Sequence, residues 1–120
     1  MKDIKILLLE DDKDEGNLII KILNNNFENI DILWNDRAEL AFTSIPIFKP
    51  DIVISDYSFP TSTCNIIMQK LNKFKGLVII YSSNSESFLR KALTCISDNM
   101  IIITKPNTLK VVSVIAKHVL

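Results

Sequence analysis

The sequence predicts a doubly wound α/β domain, with five parallel strands and helices on both faces of the sheet. Three observations carry that expectation. Five short apolar runs alternate with five stretches of helical periodicity along 120 residues. The runs are nearly continuous in apolar side chains instead of alternating, as strands covered on both faces are. Strand–helix–strand alternation gives crossover connections and therefore parallel pairing. The length suits one domain spanning 1–120, with roughly two-thirds of the unfolded surface available to be buried.

Ile4-Lys5-Ile6-Leu7-Leu8-Leu9 ends abruptly in acids and reads as the first strand. Asp12-Lys13-Asp14-Glu15 has capping-box spacing, and Leu18, Ile19, Ile22 and Leu23 follow on one helical face until Asn24-Asn25-Asn26 stops the helix. Ile30-Asp31-Ile32-Leu33-Trp34 is the second strand, and Asp36-Arg37-Ala38-Glu39 is a second capping-box spacing. Pro46 is expected to end that helix near Ser44, because its ring clashes with the preceding turn. The third strand is Asp51-Ile52-Val53-Ile54-Ser55. A loop from Asp56 to Thr63 leads to a helix bearing Ile66, Ile67, Leu71 and Phe74, with Gly76 expected as its C-cap glycine. Leu77-Val78-Ile79-Ile80-Tyr81 is the fourth strand. Ser83-Asn84-Ser85-Glu86 repeats the capping spacing, with Ser83 as the cap, and Phe88, Leu89, Ala92, Leu93 and Ile96 form the expected inner stripe. Met100-Ile101-Ile102-Ile103-Thr104 is the fifth strand, and a closing helix over 107–120 places Leu109, Val112, Ile115 and Val119 inward. Doubly wound domains of this size commonly adopt the flavodoxin-like strand order 2-1-3-4-5.

Composition narrows the function. A hydrophobic content of 48% excludes a disordered chain, and 14 bases against 14 acids argue against a nucleic-acid-coating protein. No apolar run reaches the ~18 residues of a membrane span. Met1-Lys2-Asp3 opens nothing like a signal peptide, so the expected location is the cytoplasm, without membrane attachment. Cys64 and Cys95 are too isolated for a disulfide framework or metal site. The neutral total conceals an asymmetry: residues 1–56 hold 12 acids and 6 bases, whereas 57–120 hold 2 acids and 8 bases. Lys70, Lys73 and Lys75, with no acid between Tyr57 and Ser85, read as a solvated helix flank; no binding motif accompanies them to suggest nucleic acid.

In such a sheet, ligands bind beyond the carboxyl ends of the strands. There stand Glu10-Asp11-Asp12 after the first strand, Asp56 after the third, Ser82-Ser83 at the fourth and Thr104-Lys105-Pro106 at the fifth. Converging acids cannot all ionise side by side without a cation. Hard oxygen donors around an open cleft suit Mg²⁺. A lysine and a hydroxyl at the same rim can bind a phosphoryl group, and an aspartate can be the nucleophile that forms an aspartyl-phosphate. The set is phosphoryl-transfer chemistry in minimal form.

These residues resemble the receiver domain of two-component response regulators over essentially the whole chain. Leu7-Leu8-Leu9-Glu10-Asp11-Asp12 looks like the family's first strand and acidic pair. Pro50 to Asp56, with Pro60 four residues on, resembles its phospho-acceptor segment; Ile79-Ile80-Tyr81-Ser82-Ser83 and Thr104-Lys105-Pro106 match its switch hydroxyl and its lysine followed by a cis-proline. Separations of 45, 26 and 23 residues between Asp11, Asp56, Ser82 and Lys105 make the combination specific. The resemblance implies that Asp56 accepts phosphate from the phosphohistidine of a sensor histidine kinase or phosphotransfer protein, or from a small phosphodonor. It implies Mg²⁺ held by Asp11, Asp56 and the Ser58 carbonyl, with Glu10 reaching it through water or orienting it. Lys105 would bind Asp56 and then a phosphoryl oxygen. Ser82 would swing toward that group, with Ser83 beside it, and Ser58 and Asn84 would tune phosphate lifetime. It also implies a homodimer through helix four, strand five and helix five, and an output controlled by switching, with no catalysis beyond the domain's own phosphorylation and dephosphorylation.

Three stretches depart from the family pattern. Thr61, Ser62, Thr63 and Cys64 replace its glycines after Pro60; Ile102 occupies the aromatic switch position; Asp98-Asn99 replaces Gly-Ala before strand five. Two other readings stand beside the phosphorylated switch. One is a docking module on the same scaffold that does not depend on phosphate. The other is a small enzyme or flavodoxin-like binder, disfavoured because acids stand where a phosphate loop would follow strand one. A haloacid-dehalogenase-type hydrolase would need its aspartate pair at the strand end; Asp12 and Asp14 have the spacing but fall in the helix cap. His118 reads as a surface residue, and Trp34 and Tyr81 as sheet-flanking packing.

Overall fold

The computed structural model describes residues 3–120, so Met1 and Lys2 of the opening segment lie outside the described residues. Five strands form one sheet: β1 (Ile4–Leu9), β2 (Ile30–Asn35), β3 (Ile52–Ser55), β4 (Leu77–Ser82) and β5 (Met100–Thr104). All neighbouring pairs are parallel, in the order β2-β1-β3-β4-β5. Between and after them run α1 (Lys13–Asn26), α2 (Ala41–Phe48), α3 (Met68–Lys73), α4 (Glu86–Ala92) and α5 (Thr108–Val119), with single 3₁₀ turns leading into α2 and α3. The expected fold and strand order are those observed.

The period of two along each strand divides the core. Leu7, Leu9, Val53, Val78 and Ile80 face one side, where they meet Met68, Leu71 and Leu89. Ile6, Leu8, Ile52, Ile54 and Ile79 face the other, against Ile19, Leu23, Val111 and Ile115. Burying each such side chain contributes about 1.5–3 kcal/mol relative to exposure, which is why sheet register is firmly set. Register pairs Leu9 with Asn35 and Ser55, Ser55 with Ile80, and Ser82 with Thr104. The residues that come directly after β1, β3 and β5, namely Glu10, Asp56 and Lys105, therefore emerge at one edge.

Helix ends differ from expectation in several places. Asp12 does cap α1, accepting from the Glu15 amide at 3.0 Å, and the helix runs through the three asparagines before ending at Phe27; Leu18 is 48% exposed, outside the buried stripe. Asp36 and Glu39 form no capping box. They flank the Arg37 guanidinium at 3.7 and 3.8 Å, and Arg37 precedes the 3₁₀ turn without a side-chain cap. Helix α2 continues past Pro46 to Phe48, because buried Ala41 and core-packed Ile45 hold the segment helical against the local cost of proline.

Gly76 is not a left-handed cap. Helix α3 ends at Phe74 in an extended conformation, and a Cβ at residue 76 would lie 2.2 Å from the Asp51 carbonyl oxygen. The glycine serves close backbone approach. Ile66 is half-exposed, ahead of α3. The cap of α4 is Ser85, whose hydroxyl accepts from the Phe88 amide at 3.2 Å, so Ser83 is not the cap. Shifting the start by two residues turns Phe88 outward, and ending at Ala92 leaves Ile96 off the helix. In α5 the Asn107 cap sets the phase so that Val111 and Ile115 point inward, while Leu109 is exposed.

Candidate functional site

The three emergent side chains are tied together. Lys105 is joined to β4 through its amide, which donates to the Ser82 carbonyl at 2.8 Å, and the Lys105–Pro106 peptide is cis. Its ammonium donates to Glu10 Oε1 at 2.7 Å and to Asp56 Oδ2 at 3.3 Å, with Glu15 Oε2 at 4.0 Å. The same Nζ lies over the Tyr81 ring, 5.6 Å from its centroid. Asp56 is fixed through its own amide, which donates to the Leu9 carbonyl, and through Oδ1, which accepts from the Tyr57 amide at 2.7 Å.

Glu10 is 1% exposed. Its second carboxylate oxygen accepts from the Asp12 amide at 3.1 Å. Its carbonyl accepts from Trp34 Nε1 at 2.8 Å, and Trp34 in turn packs so closely on Gly16 that a Cβ there would sit 2.1 Å from the indole. Burial pushes the Glu10 carboxyl above its ordinary value; Lys105 and the Asp12 amide pull against that rise, and the Asp56 charge adds to it. For Lys105, burial works to lower the value, but the Glu10 bond and the charges of Asp56, Glu10 and Glu15 prevail and raise it. The ammonium is thus the fixed positive centre of an acidic edge.

Carboxylate oxygens of Glu10, Asp11 and Asp56 lie within 4.8 Å of one another. An all-oxygen donor set of this kind fits Mg²⁺. Asp11 is exposed and has room to bind a cation directly, whereas both Glu10 oxygens already accept hydrogen bonds. These acids, with Asp12, Glu15, Ser83, Lys105 and Pro106, line one open cleft.

Of the other expected residues only Ser83 lines that cleft; Ser82, Ser58, Asn84 and Ile102 do not. Ser82 is buried, and its hydroxyl donates to Asn84 Oδ1 at 2.8 Å while accepting from the Asn84 amide at 3.3 Å. Thr104 Oγ1 donates to the Asn84 carbonyl at 3.3 Å. Ser58 is exposed and pairs with Thr63 across an isolated antiparallel bridge. With Phe59 and Ser62 bonded to each other and the Cys64 amide donating to the Tyr57 carbonyl, the segment closes as a small turn without any glycine. Ile102 is 7% exposed in the core cluster that contains Leu89 and Leu93. Cys64 is fully buried, and burial pushes its thiol up to about 12, so it is inert filler.

Sequence reasoning missed Trp34 as the support of Glu10, Tyr81 as the neighbour of Lys105 and cap partner of Asn107 at 2.8 Å, and Asn65. Only the first had a signal, an isolated indole beside a helix carrying the chain's first glycine. Asn65 reaches across the fold to the Ala92 carbonyl at 2.8 Å and accepts from the Thr94 amide at 2.9 Å.

No protein-family model matches the chain, and no curated protein matches its sequence. Solved structures do match. The signal receiver domain of a DNA binding response regulator protein from Colwellia psychrerythraea is 22% identical, with a TM-score of 0.78 over 98% of each chain. The BeF3-activated N-terminal receiver domain of RstA from Klebsiella pneumoniae is 24% identical, with a TM-score of 0.75 over 95% of this chain and 97% of that one. The phosphorylated cyanobacterial phytochrome response regulator RcpA is 18% identical, with a TM-score of 0.73 over 96% and 90%. Order of strands, placement of the acidic edge and these likenesses agree: the chain has the fold of response-regulator receiver domains.

Proposed function

We propose that the chain is a phospho-acceptor switch, with Asp56 as the acceptor. The observation that carries this reading is the three-way contact of Glu10, Asp56 and Lys105 at the carboxyl edge of the sheet. An Asp56 carboxylate oxygen attacks phosphorus of a phosphohistidine or small phosphodonor; the new P–O bond forms as the P–N bond, or the donor's own P–O bond, breaks. Lys105 moves from carboxylate to phosphoryl oxygen and offsets the charge gathered there. Asp11 and Asp56, with the Ser58 carbonyl, would hold Mg²⁺, and Glu10 would act through water and through Lys105. Bound Mg²⁺ supplies charge neutralisation for the transferring phosphoryl group. Ser82 must leave Asn84 to reach that group, which makes its hydroxyl the moving part. The donor is a sensor histidine kinase or phosphotransfer protein, and exposed Phe88 on α4 and Leu109 on α5 suit a contact between copies through α4, β5 and α5.

Amide NMR with Mg²⁺, before and after beryllofluoride, tests this function. Shifts at Asp56, Ser82 and Lys105 that require both additions are expected. Spectra unchanged by either addition would overturn the acceptor reading and leave a receiver scaffold used for docking.

A further inference from the structure

The acceptor edge has direct contacts to α4 that bypass strand five. Tyr57 comes immediately after Asp56; its amide holds Asp56 Oδ1 at 2.7 Å, and its carbonyl accepts from the Cys64 amide at 2.8 Å. With its backbone held on both sides, its ring meets the Phe88 ring of α4 edge-on, at 5.7 Å and 87°. Phe88 is 46% exposed, whereas Tyr57 is half-buried and packs against the core cluster that holds Leu89, so the pair joins the surface of α4 to the edge of the core. Asn65, just beyond the same loop, bonds both the Ala92 carbonyl and the Thr94 amide at the far end of α4. Ile102, in contrast, is packed among core side chains and is stiff at χ1.

We propose that the Tyr57–Phe88 pair, with the Asn65 clamp, couples occupancy of Asp56 to the position of α4, in place of a side chain on β5. The inference rests on Asp56 being the acceptor. Converting its carboxylate to an acyl phosphate moves the negative charge onto the phosphoryl oxygens. The Tyr57 amide then loses a charge-assisted acceptor, which is roughly twice as strong as a neutral one. The backbone of Tyr57 is released to follow the new charge, and its ring carries the displacement to Phe88. Tyr57 is a positioning residue here; it does not touch the donor.

The test is amide NMR of the chain with Mg²⁺ and beryllofluoride, in wild type, Phe88→Ala, Tyr57→Leu, Asn65→Ala and Ile102→Val. Phe88 is half-exposed, so its variant is expected to fold. The expected result is that Phe88→Ala and Tyr57→Leu keep the shifts at Asp56 and Lys105 but lose most of those over Glu86–Ala92. Asn65→Ala is expected to lose those at Ala92 and beyond, and Ile102→Val to retain all of them. By reciprocity, beryllofluoride affinity changes between about twofold and tenfold in Phe88→Ala, the scale of one aromatic edge contact. Full-sized α4 shifts in both aromatic variants would overturn the coupling while leaving the acceptor intact. An absence of shifts at Asp56 in wild type would instead overturn the acceptor assignment, and this inference with it.

Discussion

The carboxyl edge of β1, β3 and β5 and the layer that contains α4 are held together by different physics. At the edge, an ammonium joins two carboxylates, one of them almost completely buried, and the strands that deliver them are fixed by core register. Around α4 the ties to the rest of the fold are uncharged: buried Leu89 in the core, Asn65 to backbone, Ser85 to backbone, and one aromatic edge contact. A buried ion pair is strongly destabilised when one partner is removed, whereas neutral hydrogen bonds contribute about 1 kcal/mol each. The edge is therefore fixed by charge, whereas α4 pivots on one buried leucine and is otherwise held by individually weak ties.

The largest expected effect comes from removing the cation. Lys105→Met leaves Glu10 buried and unpaired, and unfolding free energy should fall by about 3 kcal/mol at neutral pH. The loss should shrink in acid, because Glu10, already raised, takes up a proton when its partner is gone. The alkaline side gives the converse sign. Lys105 is raised above 10.5 in the folded state, so its contribution is complete below 10.5 and disappears as pH climbs through the higher folded value. Denaturant melts of wild type and Lys105→Met as a function of pH should converge above that range; a gap that is the same at every pH would contradict the ion-pair account.

Gly16→Ala comes next. The added methyl meets the Trp34 indole, and overpacking of this kind costs about 1–3 kcal/mol. Because Trp34 holds the Glu10 carbonyl, Mg²⁺ affinity read by Trp34 fluorescence should fall along with stability. A stable variant with unaltered Mg²⁺ binding would show that the indole is not a support of the edge. On the α4 side, Asn65→Ala should cost about 1–2 kcal/mol for two lost bonds to backbone, seen as faster amide exchange at Thr94. At the bottom of the scale is Arg90→Ala, which removes the 2.8 Å pair to Glu86 on the exposed face of α4. Both partners are more than half exposed, so the change should stay below about 0.5 kcal/mol; a larger drop in thermal melting would mean that α4 is held more tightly than its contacts imply.

The same division explains what could be read in the sequence. Strands β1 to β5 and the four strand-end residues Glu10, Asp56, Ser82 and Lys105 were legible, because apolar runs mark the strands and the strand ends decide which side chains emerge at the edge. The strand order is not written in the runs and is expected only as the order common to doubly wound domains of this size. The helix starts were less legible. Asp12 and Asn107 could be placed as caps or boundaries, but Ser83 and Ser85 are equally good cap residues, and only the packing of Leu89 and Leu93 selects Ser85. Leu109 has the spacing of an inner residue for the same reason. The Asn65–Ala92 and Tyr57–Phe88 contacts span 27 and 31 positions and obey no periodicity, so nothing local announces them. Pro46 misleads because its local cost is real and tertiary packing outweighs it.

The central claim is that Asp56 is the phospho-acceptor. Incubation of the chain with Mg²⁺ and acetyl phosphate, with intact mass spectrometry as the readout, tests it most directly. Wild type should gain one phosphoryl group that hydroxylamine removes, EDTA should prevent the gain, and Asp56→Asn should gain nothing while melting as a folded protein. Uptake by Asp56→Asn at the wild-type rate would contradict the account.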